Sequence, residues 1–132
     1  MADTNYFDAL DGHGYVRLST FRKTGAAVPT PVWFARVGES LYVVTGRETG
    51  KAKRIRNNPH VALAPCNARG RPKGPDVRAV ASLTDQRKGD PADRALGEKY
   101  GWQYRLFGRI EGMRGAAEDL VFLQIRPPAE GE

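Results

Sequence analysis

The sequence has little cysteine, histidine and negative charge, and it has no long apolar run. The single cysteine, Cys66, excludes an internal disulfide and fits a reducing compartment. His13 and His60 have neither ligand spacing nor a cysteine companion, so no metal site is predicted. No apolar run approaches the ~20 residues of a membrane-spanning helix, and the N-terminus lacks the features of a signal peptide. These absences predict a cytoplasmic protein with no membrane contact.

The length, composition and charge are those of a compact, basic domain. A length of 132 residues fits one domain, 1–132, and 40% hydrophobic with 27% charged residues excludes a disordered chain. A net charge of +6 predicts an anionic partner. The basic residues cluster at 47–56 and 69–78, without a helix-turn-helix or zinc-finger pattern. A phosphate-bearing cofactor explains them at least as well as nucleic acid, which is not a predicted partner.

Strand signals dominate the chain. The hairpin turn Gly38-Glu39 joins the second and third of six β-prone segments. Their spacing predicts a mainly β protein, a small barrel or sandwich with short helices. The six segments are Tyr15–Phe21, Val32–Val37, Leu41–Thr45, Val61–Cys66, Val77–Thr84 and Leu120–Arg126.

Two helices are predicted between these strands. The first covers about 50–58 and must end before Pro59, because proline disfavours the helical conformation in the residue before it. The second begins at Asp90-Pro91, an N-cap followed by proline at the first helical position. Glycine weakens this second helix, and a break is predicted near Gly101. Its apolar stripe consists of Ala92, Leu96, Tyr100 and Phe107.

The segment Thr45–Pro59 is the strongest candidate for a ligand site. An apolar strand passes through a Gly/Thr turn into a helix that Thr49 caps and whose first turn carries Lys51. The free N–H groups and the dipole at such a helix start favour a phosphate. The segment is not a Walker A loop, because Ala52 follows Lys51. The alternative interpretation, a solvated basic helix after a surface turn, stays open at this point.

A barrel of this size is filled by its own side chains, so a large ligand cannot enter it. A cofactor would have to lie on the outer wall or between two copies of the chain. A homodimer with the site at the seam is therefore predicted. Trp33, Trp102 and Tyr104 are candidates for that seam, although single aromatic residues suit a core equally well.

Three parts of the sequence carry a resemblance. They are Tyr15–Gly25 with Pro29–Ala35, Leu41–Thr45 with Gly50–Leu63, and Lys99–Trp102 with Val121–Ile125. The most specific string is Lys-x3-Ile-Arg-x-Asn-Pro-x-Val-x-Leu, followed by Thr-Pro-Val-Trp-Phe. The chain resembles the pyridoxamine-phosphate-oxidase-like split β-barrel family, and within it the deazaflavin (F-420)-dependent oxidoreductases of actinobacteria. The resemblance implies a six-stranded antiparallel split β-barrel of the FMN-binding type.

The resemblance also implies a cofactor site. The family's phosphate lysine falls on Lys51, and its threonines fall on Thr45 and Thr49. The backbone of Pro31–Trp33 would lie along the flavin or deazaflavin ring. The predicted cofactor-binding residues are Pro31, Val32, Trp33, Thr45, Thr49, Gly50, Lys51, Lys53 and Arg56.

Position 50 departs from the family pattern. FMN-binding members usually carry an arginine just before the phosphate lysine, and this chain has Gly50. Coenzyme F-420 has a phosphodiester and an acidic tail, which need a basic track rather than a tight phosphate pocket. Arginine and lysine side chains that only solvate the surface are the competing interpretation. The candidate track consists of Lys53, Arg54, Arg56, Arg69, Arg71 and Lys73.

No catalytic side chain is predicted. The sequence has no Ser/His/Asp arrangement and no paired carboxylates near Lys51, and His60 is read as a surface residue rather than a proton donor. The chemistry would come from the cofactor, with F-420 as the first choice and FMN as the alternative. The leading hypothesis is an F-420-dependent oxidoreductase that reduces a small electrophilic substrate. The alternatives are an FMN-dependent oxidase or reductase, and a binding protein without turnover.

Overall fold

A curled, fully antiparallel sheet forms the body of the protein. The computed structural model describes residues 5–106 and 120–132. The strands follow the order β2-β1-β5-β6-β7-β4-β3 in one seven-stranded sheet. This half-barrel confirms the predicted mainly β, split-barrel fold. The strands are β1 (Tyr15–Phe21), β2 (Ala27–Val32), β3 (Ala35–Val37), β4 (Ser40–Gly46), β5 (His60–Cys66), β6 (Val77–Leu83) and β7 (Leu120–Arg126).

Alternation along each strand sends one set of side chains into the concave side of the sheet. Val16 and Leu18 of β1 meet Leu63 of β5 there, and all three are fully buried. Helix α1 (Gly50–Asn57) closes this side and buries Ala52 and Ile55. The interior is therefore filled by side chains, which leaves ligands to the outside of the barrel.

The convex side is covered by a second helix. Helix α2 (Pro91–Tyr100) buries Ala92 and Leu96 against Tyr42 of β4 and Phe122 of β7. The amide of Gln86 caps this helix by accepting the N–H of Ala92 at 2.8 Å. This packing fixes α2 beside β3 and β4, and so fixes the C-terminal end of α2 near the chain that leads into β3.

The strand count corrects the sequence prediction, because six strands were expected and residues 5–106 and 120–132 form seven. The segment Val32–Val37, predicted as one strand, is divided between the end of β2 and all of β3. The Tyr100 hydroxyl causes the division. It accepts the Phe34 N–H at 2.9 Å and lies 2.9 Å from the Phe34 carbonyl oxygen. The backbone of Phe34 is thus turned toward α2 and leaves the sheet.

Both predicted helices are present. The first ends at Asn57, before Pro59, as the proline requires. The second ends at Tyr100, and Gly101 follows with φ of 63°, so the predicted break is confirmed. Residues 102–106 then resume a helical conformation. Phe107 of the predicted apolar stripe lies outside the described residues.

Candidate functional site

Thr49 organises the turn between β4 and α1. Its hydroxyl accepts the Ala52 N–H at 3.3 Å and donates to the Gly46 carbonyl oxygen at 2.8 Å. The Thr45 hydroxyl lies 3.3 Å from the Thr49 hydroxyl. Because the Thr49 proton is used on Gly46, Thr45 is the donor in that pair. The predicted N-cap is confirmed, and both threonines hold the turn in shape so that the first N–H groups of α1 face outward.

Two cations stand together at this helix start. Lys51 is half-buried, and its pKa is lowered, first by burial and then by the positive charge of Arg54. Arg54 donates from Nε to the Thr20 hydroxyl at 2.6 Å, which ties its guanidinium to the end of β1. Within residues 5–106 and 120–132, no carboxylate forms an ion pair with either cation. We call these two residues the Lys51–Arg54 pair.

Gly50 makes room for this arrangement. A Cβ atom at position 50 would lie only 2.7 Å from Nη1 of Arg54. The guanidinium therefore occupies the space beside the backbone that a side chain at residue 50 would otherwise fill. Two neighbouring positive charges without a counter-ion repel each other, and an anion bound between them would relieve that repulsion.

The other two predicted cations of α1 lie apart from this pair. Lys53 is 60% exposed and only reaches Glu48 at 4.0 Å. Arg56 is exposed and donates to the Arg47 carbonyl oxygen at 2.9 Å. Both residues occupy the solvent side of the helix, where they can meet only a part of a ligand that extends beyond the Lys51–Arg54 pair.

The predicted ring segment lies at the edge of the sheet. Pro31 pairs with Arg17 of β1, and Thr20 is three residues further along the same strand. At ~3.3 Å per residue, roughly 10 Å of β1 separate Pro31 from the Thr20 that anchors Arg54. The ring of Trp33 stacks on Tyr100, with centroids 4.5 Å apart and planes within 10°. The side chain of Trp33 therefore packs on α2.

The sequence predicted Arg54 only as part of a basic track, and it did not predict Thr20 as a residue of this site. The helical spacing held a usable signal, because residues four apart share a helix face and place Arg54 over Gly50. Thr20 had no such signal, since its contact with Arg54 joins segments 34 residues apart.

The described residues offer no evident acid–base or metal chemistry at this site. His60 is exposed at the start of β5, where its backbone N–H donates to the side-chain oxygen of Asn58 at 3.1 Å. Across 5–106 and 120–132, His, Cys, Asp and Glu side chains form no group of three suited to a metal ion. In the same ranges, no helix is both long and apolar enough to span a membrane.

A curled antiparallel half-barrel with its core filled by side chains is the architecture of split-barrel proteins of the flavin-binding type. The model of the pyridoxamine 5'-phosphate oxidase family matches residues 2–127. The chain belongs to that family. No curated protein is a significant match.

Solved structures share the fold at low sequence identity. An F420 reductase is 22% identical with a TM-score of 0.65, and the match covers 96% of each chain. The haem storage protein HutZ from Vibrio cholerae is 17% identical with a TM-score of 0.63, covering 92% of this chain and 87% of that one. The conserved hypothetical protein Rv2991 from Mycobacterium tuberculosis is 16% identical with a TM-score of 0.69, covering 98% and 82%. At these identities the likeness concerns the fold alone.

Proposed function

We propose that this protein is an oxidoreductase that binds coenzyme F-420 and reduces a small electrophilic substrate. The observation that carries the proposal is the Lys51–Arg54 pair, two adjacent cations with no described carboxylate partner. A phosphodiester would satisfy both charges, and guanidinium and ammonium groups are the usual protein ligands of phosphate. The N–H groups of Gly50 and Lys51 at the start of α1 add to the attraction.

The acidic tail of F-420 accounts for the exposed cations of α1. Lys53 and Arg56 lie on the solvent side of the helix, outside the Lys51–Arg54 pair. A carboxylate tail that leaves the phosphodiester toward solvent would pass these two residues. FMN ends at its phosphate and would not reach them. Replacing these side chains should therefore affect the binding of F-420 and not that of FMN.

The ring of the cofactor would lie at β2, along the backbone of Pro31, Val32 and Trp33. β2 is an edge strand, so one row of its backbone groups has no partner strand. Pro29 and Pro31 have no N–H to offer, and the edge therefore presents carbonyl oxygens at those positions. Such acceptors suit the N–H groups at the rim of a deazaflavin or flavin ring.

When bound, reduced F-420 supplies a hydride to the electrophilic carbon, and the substrate takes the balancing proton from solvent. The chain's own contribution is positioning. Lys51 and Arg54 hold the phosphodiester, the threonine-capped turn keeps α1 in place, and β2 orients the ring. Since no described side chain acts as an acid or base here, the rate would depend on this alignment.

FMN is the second candidate, and the structure supplies an argument for it. Position 50 is glycine where FMN-binding relatives usually carry arginine, but the guanidinium of Arg54 fills the space beside Gly50. A phosphate dianion would therefore still meet one guanidinium and one ammonium group. A binding protein without turnover would use the same residues, and only an assay of reduction separates it from an enzyme.

The test is a fluorescence titration of the ligand-free protein with F-420 and with FMN. Lys51→Ala should weaken F-420 binding at least tenfold, about 1.4 kcal/mol, while the matched control Lys88→Ala, an exposed lysine in another loop, should leave it unchanged. A double variant, Lys53→Ala with Arg56→Ala, should weaken F-420 and spare FMN. Tight binding of FMN together with weak binding of F-420 would instead support an FMN-dependent protein. An unchanged dissociation constant in Lys51→Ala would overturn the site.

A further inference from the structure

A second basic element, the Asn67–Pro72 loop, follows β5 and is held in one shape. The Asn67 side-chain oxygen accepts the N–H of Arg69 at 2.9 Å and of Arg71 at 3.0 Å. The backbone of Asn67 also bonds with Arg71 and with Gly70, at 3.0 and 2.9 Å. These four hydrogen bonds within one short loop fix its backbone before any ligand binds.

The loop packs against the proposed ring segment. Gly70 has φ of 86°, which a residue with a side chain rarely adopts. A Cβ atom placed on Gly70 would lie 3.5 Å from Cδ of Pro31. An open groove of about 570 Å³ lies along the loop and is lined by Asn67, Arg69, Gly70, Arg71 and Pro72. Gly70 therefore belongs both to the lining of the groove and to the part of the loop that lies next to the Pro31 side chain.

The groove is cationic and uncompensated. Arg69 and Arg71 are both exposed, and within the described part of the chain neither forms an ion pair. The neighbouring carboxylate, Asp76, is engaged by Arg17 at 3.4 Å. Two arginines beside a preformed groove are suited to the two oxygens of a carboxylate or to a phosphate.

The position of the loop separates it from the phosphate end of the cofactor. Cys66, which leads into the loop, pairs with Tyr15 at the start of β1. Arg54 is tied to Thr20 near the end of that strand. About 17 Å of β1 lies between Tyr15 and Thr20 at ~3.3 Å per residue. The groove is thus at the ring end of the site, and the tail of F-420 would leave from the other end.

From this placement we infer that the groove of the Asn67–Pro72 loop binds the carboxylate or phosphate group of the substrate. The inference rests on the proposed function, which lays the ring along Pro31–Trp33. A substrate anchored by Arg69 and Arg71 would have its electrophilic carbon beside the ring, because a Cβ atom placed on Gly70 would lie 3.5 Å from Cδ of Pro31, which makes the loop and β2 neighbours. The protein would then select anionic acceptors over neutral ones of the same shape.

The first experiment follows backbone amide NMR signals during titration with succinate and with inorganic phosphate at constant ionic strength. Saturable shifts are expected at Gly70 and Arg71. They should weaken at least tenfold in Arg69→Gln with Arg71→Gln, and persist in Arg87→Gln with Lys88→Gln, which removes the same charge from another exposed loop. Equal loss in both variants, or shifts that do not saturate, would reduce the effect to general charge and overturn the site.

The second experiment separates this anion from the cofactor. The Arg69→Gln, Arg71→Gln variant should bind F-420 within twofold of the unaltered protein, and succinate should still shift Gly70 when F-420 is bound. A tenfold loss of F-420 affinity, or competition between succinate and F-420, would assign the groove to the cofactor and overturn the inference. If the unaltered protein binds neither F-420 nor FMN while the succinate result holds, the proposed function fails and the anion site stands.

Discussion

At the scale of single residues, Tyr100 joins the end of α2 to two segments that are distant from it in the sequence. Its ring stacks on Trp33, and its hydroxyl lies within 2.9 Å of the Phe34 backbone and 2.8 Å of the Gly14 carbonyl oxygen. Burial raises the pKa of this hydroxyl to about 12. Tyr100 therefore fixes where β2 ends, and with it the backbone that the cofactor ring is proposed to meet.

Replacing Tyr100 with phenylalanine should lower the free energy of unfolding by about 1–3 kcal/mol, because the Phe34 N–H would lose its partner. Tyr6→Phe is the control. It removes one bond to the Arg78 carbonyl oxygen and should cost less, about 0.5–1.5 kcal/mol. Urea unfolding monitored by circular dichroism measures both. Equal losses would show that the Tyr100 hydroxyl has no special role.

The same hydroxyl makes stability depend on pH. Its folded pKa of about 12 exceeds the ordinary tyrosine value of 10.0, so the unfolded chain loses its proton first as pH rises. The contribution is complete below pH 10 and is lost between pH 10 and 12. Tyr100→Phe should therefore flatten the decline of the unfolding free energy over that window. An identical decline in the variant would contradict the assignment.

At the scale of elements, the start of α1 combines a cap with a charge cluster. Thr49 holds the first turn, and the absence of a side chain at Gly50 lets Arg54 lie against the backbone beside Lys51. The cap is a stability feature, whereas the close approach of Arg54 serves the proposed ligand. A substitution at Gly50 can therefore separate stability from binding.

Gly50→Ala should leave stability unchanged or raise it by up to ~1 kcal/mol, because alanine is the better helix former. The new Cβ, 2.7 Å from Nη1 of Arg54, would displace the guanidinium. Cofactor affinity should then fall roughly fivefold, about 1 kcal/mol. Gly97→Ala in α2 is the matched control, since its Cβ would meet only Tyr104 at 3.9 Å. It should stabilise the protein without changing affinity, and a similar loss in both variants would argue against the Arg54 assignment.

At the scale of the whole molecule, β2 and β3 are the two edge strands of the sheet that the described residues form. Two prolines in β2 discourage the addition of a further strand there. Of the three aromatic residues named for a dimer seam, Trp33 stacks on Tyr100 and Tyr104 donates to Asp93 at 2.6 Å. Trp102 alone of these three is strongly exposed, at 70%. It is therefore the residue of the set best placed for a seam.

We expect a homodimer with a mass near twice 14.5 kDa in sedimentation velocity measurements. Trp102→Glu should shift the distribution toward monomer, because a charge replaces a large apolar surface that the partner would bury. Gln103→Glu adds the same charge to the neighbouring exposed position and should leave the dimer intact. A monomeric unaltered protein would contradict the dimer, and an unaffected Trp102→Glu dimer would place the seam elsewhere.

Much of the fold was predictable because its signals are local. β1, β7 and both helices follow from alternation, capping residues and proline positions that act within a few residues. The division of Val32–Val37 was not predictable, because it depends on Tyr100, which is 66 residues away from Phe34. At the candidate site, Thr49 and Lys51 could be named from the helix-start pattern, and Thr45 and Gly50 only from the family resemblance. The outward direction of Lys53 and Arg56 required the packed helix.

The sequence by itself determined that a threonine-capped helix with Lys51 in its first turn follows an apolar strand, since neighbours along the chain decide capping and helix formation. The tertiary structure decided where the cations lie. Arg54 donates to Thr20 because α1 folds against the end of β1, and Gly70 lies near Pro31 because β5 and β2 both pair with β1. Contacts between distant segments set these positions, and no local pattern encodes them.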